Sequence, residues 1–331
     1  MSRVGAEAAL LVSVVTCTHD PRAEYLARVL DALAAQSLPR SQWEFILVDS
    51  ASKTPLVTWV DLAWHPRARC VREDEPGLTR ARLRGIAESR GDLLVFVDDD
   101  NVLDPEFLEV ATRIYRERPD IGSWSGATRP GFDAPPATWT KRYWGNLVIR
   151  EVPRDLWSNL PMLPDTMPCG AGLCVRREVA AWYSELHTSG KRPFTLDRNG
   201  SSLLSGGDND LAACACDIGL GVGVFAALHL THLIPSTRLR EEYLLDLAEN
   251  IALSTTILRS FRDPSDVIQS PRFKTRAADM LRVMLMDSRA RRFFRATRRG
   301  ERRARQQLAS LQRPTSRSSG AEEPDPSSLD E

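Results

Sequence analysis

Through the first hundred residues, apolar runs rich in β-branched side chains alternate with segments of helical period, and this alternation confines the chain to few folds. "LLVSVVTCT", "WEFILVD" and "DLLVFVD" each read as a strand buried on both faces, with "ARCVRE" as a fourth. After Pro21, Leu26, Val29, Leu30 and Leu33 recur at i, i+3, i+4 and i+7, which is one face of a helix. "GLTRARLRGIAESRG" reads as a second helix, closed by Gly91. Buried strands joined by amphipathic crossovers pair in parallel with helices on both faces, so the fold class is α/β: an open, mostly parallel sheet flanked by helices. Sheets of this kind bind ligands at the carboxyl ends of their strands, where residues 16–20, 49–52 and 98–101 therefore converge.

The last of these loops makes the strongest demand. In "GDLLVFVDDDN" a buried run ends on Asp98, Asp99 and Asp100, and like charges that close repel unless something positive sits among them. A turn with Asp104 capping the next helix and Pro105 at its first position explains Asp104 but not Asp98 or Asp100. A hard divalent cation, Mg²⁺ or Mn²⁺, explains both, because it takes one or two carboxylates and fills its other positions with water and phosphate oxygens.

Composition narrows the partners. The 331 residues carry 44 basic and 44 acidic side chains, and this zero formal charge argues against a nucleic-acid binder. Cys17, Cys70, Cys169, Cys174, Cys214 and Cys216 form no C-x-x-C pair, which disfavours a zinc site and suits a reducing cytoplasm. "AALLVSVVTC" has Glu7 before it and no small-residue cleavage site after it, so it is read as the first strand and not as a signal peptide. No run of 18 apolar residues occurs, and no membrane span is expected.

From residue 122 to about 235 the pattern is irregular, with Trp124, Trp139, Trp144 and Trp157, many prolines, and the glycine-rich "CGAGLC" and "LSGGDND". Long turn-rich stretches of this kind are commonly binding surfaces. A helical region follows Pro235, with Ser236 or Thr237 as its N-cap. Residues 272–313 are basic; an Arg-rich segment with Phe293 and Phe294 can lie against anionic lipid at the inner face of a membrane, and a solvated charged helix packed on the preceding domain explains the same composition. Residues 314–331, rich in Ser, Pro and acids, read as a disordered tail.

Taken in order, "VSVVTCTHD", "FILVDSAS", "GLTRARLRGIAESRGDLLVFVDDDN", "GAGLCVRREV" and "LSGGDNDLA" resemble the landmarks of family 2 glycosyltransferases across about residues 11 to 240. The resemblance implies a GT-A fold over residues 1–240, with a nucleotide-sugar half at 11–121 and an acceptor half at 122–240, then a helical extension at 241–313. It implies an inverting enzyme that takes a UDP, GDP or dTDP sugar to a hydroxyl of a glycan, a lipid-linked glycan or a small molecule. Thr16, Thr18 and Asp49 then fall in the base and ribose pocket, Arg82 points to the donor, Asp98 and Asp99 lie on the donor, and Asp98 and Asp100 hold the metal.

In "LHLTHLIPSTRL", His232 is preferred to His229 as a third metal ligand or phosphate contact, and the following Arg suits the diphosphate. The chain departs from the family pattern in three places: Leu83 stands for Asn after the Arg, "THD" replaces Thr-Tyr-Asn, and Gly207 replaces the Glu of Glu-Asp-x-Asp. Asp208 and Asp210 remain as candidate bases; Asp208 is favoured by alignment, and Asp210 suits a helix cap. "CGAGLC" is expected to line the acceptor side, and Trp144 to stack on a sugar. A D-x-D phosphatase and a noncatalytic nucleotide-sugar binder are the rival classes.

Overall fold

The computed structural model describes residues 10–197, 204–263 and 282–311. The acidic tail and the first part of the basic stretch lie outside the described residues.

A nine-stranded sheet runs in the order β3-β2-β1-β4-β8-β6-β9-β5, with β7 also on β9. Strands β1 (Val12–Thr18), β2 (Trp43–Ser50), β3 (Ala68–Glu73) and β4 (Leu93–Phe96) are mutually parallel, as their apolar runs require. The irregular middle supplies the other half of the sheet. There β8 (Leu173–Arg176) lies antiparallel between β4 and β6 (Ile121–Phe132), and β9 (Gly221–Ile234) runs parallel to β6. The short strands β7 (Leu156–Ser158) and β5 (Asn101–Leu103) cover successive halves of β9's other edge. The α/β class holds, with parallel pairing dominant in the first half and mixed pairing in the second.

Alternation along the strands feeds two cores. Val12, Val14, Phe45, Leu47, Leu93 and Val95 pack with helices α1 (Ala23–Ala34) and α3 (Phe107–Glu117) on one face. Val15, Ile46, Val48, Leu94 and Phe96 pack on the other with α2 (Leu78–Glu88), α4 (Arg177–Thr188) and α5 (Gly207–Asp217). A one-residue slip of β4 would exchange its two buried faces, so its register is fixed and Asp98 is held just beyond its end.

Three local expectations change. Helix α2 stops at Glu88 because Ser89 turns extended, so Gly91 does not close it. Asp104 does not cap α3; its carboxylate pairs with Arg129 instead. Ser236 and Thr237 form a separate 3-10 turn before α6 (Glu241–Ser260), which begins without a side-chain cap.

The basic helix α7 (Ser288–Leu311) lies along α6. Arg289 and Arg292 reach Glu241 at 3.1 and 2.6 Å, and Arg299 and Arg303 reach Glu249 at 2.8 and 2.9 Å. Phe293 is buried and stacks on Tyr143 with ring centroids 3.6 Å apart. The apolar side of this helix therefore faces protein, with Ala296 and Ala304 fully buried. Among the described residues no helix is long and apolar enough to cross a membrane.

Candidate functional site

Because β8 runs antiparallel to β4, Leu173 sits opposite Phe96, and the glycine-rich turn before β8 arrives at the same rim as Asp98. Helix α5 also begins there. The Gly170 N–H donates to Asp208 Oδ2 at 2.6 Å, and a β-carbon at position 170 would lie 2.7 Å from that oxygen. The glycine expected to admit a ligand thus admits the Asp208 side chain. Asp208 Oδ1 has no hydrogen-bond partner among the described residues.

Asp98, half-buried, has its carboxyl pushed up to about 7 by burial and by the charges of Asp100, Asp99 and Asp208, against the opposing effect of Arg82. Arg82 is buried, and burial works against its charge. The negative charges of Asp197, Asp208 and Asp98 outweigh that cost and hold its pKa above the usual arginine range. Its Nη1 lies 3.0 and 2.9 Å from the two Asp197 oxygens.

Asp100 and His232 meet through sheet pairing, since Asn101 on β5 lies opposite His232 on β9. Asp100 Oδ2 is 2.9 Å from Arg238 Nη1 and 3.4 Å from His232 Nε2, and Asp100 Oδ1 accepts from Asn101 Nδ2 at 2.9 Å. His232 Nδ1 lies 3.0 Å from the Leu147 carbonyl, which can only accept. That nitrogen therefore carries the proton, leaving the Nε2 lone pair beside Arg238 at 3.3 Å. His229 sits three residues back along β9, where its carbonyl accepts from the Asp104 N–H.

Two residues expected in the nucleotide pocket, Thr16 and Asp49, are buried. Thr16 has no exposed surface, and its hydroxyl has no partner among the described residues, so it lies beneath the rim and does not line it. Asp49 is also buried, with Oδ1 accepting from Ser52 N–H at 2.9 Å and Oδ2 accepting from Leu56 N–H at 3.0 Å and Arg72 Nη1 at 2.9 Å. Burial would raise its pKa, but hydrogen bonds from Ser52 and Leu56 and the Arg72 charge bring it below the usual carboxylate value. Both oxygens are engaged in holding the loop after β2. Thr18 stays at the rim and donates its hydroxyl to Asp99 Oδ2.

Asp210 sits apart from Asp208. Two helical positions are about 200° apart, so it points away from Asp208. It is buried between Arg192 Nε at 2.7 Å and Arg262 Nη1 at 3.0 Å, where it anchors two arginines. Trp144 is part-exposed, with its ring 5.1 Å from Phe132 and its Nε1 donating to Thr140 Oγ1 at 3.2 Å. Sequence reasoning missed Asp197 and Arg72. Neither lies in a motif, and Asp197 meets Arg82 across 115 residues.

Asp98 and Asp100 are carboxylates of the kind a hard divalent cation takes, and an ion there would share Asp100 Oδ2 with Arg238, which already holds it. Among the described residues no group of three or more His, Cys, Asp or Glu side chains is gathered to hold an ion unaided. Asp98 and Asp100 offer two carboxylates, the number Mg²⁺ or Mn²⁺ takes when phosphate oxygens fill the rest.

Comparison with known proteins places the chain. An uncharacterized glycosyltransferase of Haemophilus influenzae is 30% identical over 112 residues, covering 34% of this chain and 36% of that protein. The O-antigen biosynthesis protein RfbC of Myxococcus xanthus is 28% identical over 115 residues, covering 34% of this chain and 9% of that one. The aligned region is thus a minor part of either relative. A crystal structure of S. aureus TarS 1-349 in complex with UDP-GlcNAc covers 91% of both chains at 14% identity, with a TM-score of 0.48. The family model described as Glycosyl transferase family 2 matches residues 13–180, just over half of the 331 residues and all of the rim from β1 through the Gly170 turn. The chain belongs to glycosyl transferase family 2.

Proposed function

We propose that the chain transfers a sugar from a nucleoside-diphosphate sugar to an acceptor hydroxyl, with inversion at the anomeric carbon and Asp208 as general base. One observation carries this reading: Asp98, just beyond β4, shares one rim with Asp100 and with Asp208 from the start of α5, close enough to feel the charge of both, and Arg82 feels Asp98 and Asp208.

The acceptor oxygen forms a bond to the anomeric carbon as the bond from that carbon to the diphosphate oxygen breaks, and the electron pair leaves with the diphosphate. Asp208 Oδ1 takes the acceptor proton, while the Gly170 N–H fixes the carboxylate through Oδ2. Attack from the side opposite the leaving group gives inversion. Arg238, beside Asp100, meets negative charge on the departing diphosphate. Mg²⁺ or Mn²⁺ held by Asp98 and Asp100, with His232 Nε2 alongside, would add Lewis-acid offset of that same charge. Thr18 ties Asp99 to the end of β1 and so steadies the acidic turn.

A thermal-shift panel of UDP, GDP and dTDP sugars, each with and without Mn²⁺, tests the proposal, because a ligand that binds only the folded state raises apparent stability. One donor is expected to raise the melting temperature with Mn²⁺ and to support transfer to an acceptor hydroxyl. No shift with any nucleotide sugar, or phosphate release from simple phosphomonoesters in place of transfer, would contradict it.

A further inference from the structure

Helix α5 opens on Gly207, where the family pattern has Glu, and this bare position is not empty space. A β-carbon at position 207 would overlap the Asp197 carboxylate, with Oδ1 at 2.5 Å. Asp197 arrives from the segment before α5, is buried, and accepts from Thr79 Oγ1 at 2.8 Å as well as from Arg82 Nη1. Arg82 makes its hydrogen bonds through Nη1 alone, so Nε and Nη2 are without a hydrogen-bond partner among the described residues. A guanidinium gripped at one nitrogen and buried beside Asp98 and Asp208 has little orientational freedom.

We infer that Asp197 is a positioning residue. It supplies from a loop the carboxylate that position 207 lacks, and it fixes Arg82 so that the free edge of the guanidinium meets the donor diphosphate. The inference rests on the nucleotide-sugar reading of the rim. It accounts for a pairing that no local motif announces: a glycine opening a helix, and an acid ten residues earlier filling the place of its side chain. Asp197 touches no reacting atom; it acts through Arg82.

The test uses Asp197→Asn, which keeps the shape and the Thr79 contact, and the pair Asp197→Ala with Gly207→Glu, which returns a carboxylate from the helix. Hydrogen bonds to charged groups are worth enough that Asp197→Asn should raise the donor KM about tenfold or more, with kcat changed less than about threefold. The paired variant should recover KM to within about threefold of wild type, where Asp197→Ala alone does not. A wild-type donor KM in Asp197→Asn overturns the inference. So does a paired variant that melts like wild type yet binds donor no better than Asp197→Ala. Transfer by the wild-type chain is measured alongside, so failed rescue with transfer intact sinks the Asp197 role alone, whereas absent transfer sinks the reading beneath it.

Discussion

Asp208→Asn is expected to lower kcat by about 10²–10⁴-fold, the usual contribution of a positioned general base, while donor affinity changes less than about twofold. The amide can still accept from the Gly170 N–H through its oxygen, so the turn before β8 keeps its partner and the chain should melt near its wild-type temperature. What disappears is the acceptor of the proton at Oδ1. Steady-state kinetics with the identified donor, read together with calorimetric donor binding, separates the two effects. A variant that turns over at more than about a tenth of the wild-type rate would move the base elsewhere on the rim.

Asp210→Ala should behave in the opposite way. It leaves Arg192 and Arg262, both half-buried, without the buried carboxylate between them, and removing one partner of a buried pair costs about 3–5 kcal/mol. Arg262 keeps Asp217 at 2.7 Å, so the lower part of that range is expected. Chemical denaturation should show the loss, and transfer assayed well below the melting point should stay within about threefold of wild type on a per-folded-molecule basis. If Asp210→Ala stays stable and loses turnover, the two acids have exchanged roles.

The acidic rim was legible in the sequence because strand ends are local features. A continuous apolar run must stop somewhere, and "VDDDN" marks the place. His232, preferred in the sequence because it stands just before the Ile-Pro turn, is brought beside Asp100 by the pairing of β5 with the end of β9. What could not be read depends on contacts between distant segments. Gly170 seats Asp208 across 38 residues, and Arg82 finds Asp197 across 115, with no periodicity to announce either. The choice between Asp208 and Asp210 was open because both fit a helix start, and only the packing of Arg192 and Arg262 separates them. Thr16 and Asp49 end up near the rim by position along their strands, but position says nothing of the full burial of Thr16 or of the Arg72 contact to Asp49. Lipid contact and packing on the domain were both open for Phe293, because amphipathic periodicity does not say whether the apolar side meets lipid or protein; it stacks on Tyr143.

The claim on which all of this depends is that Asp98 and Asp100 hold a divalent ion together with a diphosphate. Electron paramagnetic resonance of Mn²⁺ titrated with UDP, GDP and dTDP tests it directly in the wild-type chain and in Asp98→Asn. One nucleotide should draw Mn²⁺ onto the wild-type protein at least about tenfold more tightly than the ion binds alone, a coupling of about 1.4 kcal/mol, and Asp98→Asn should abolish that gain while remaining folded. Equal Mn²⁺ affinity with and without every nucleotide, or an undiminished gain in Asp98→Asn, would contradict the account.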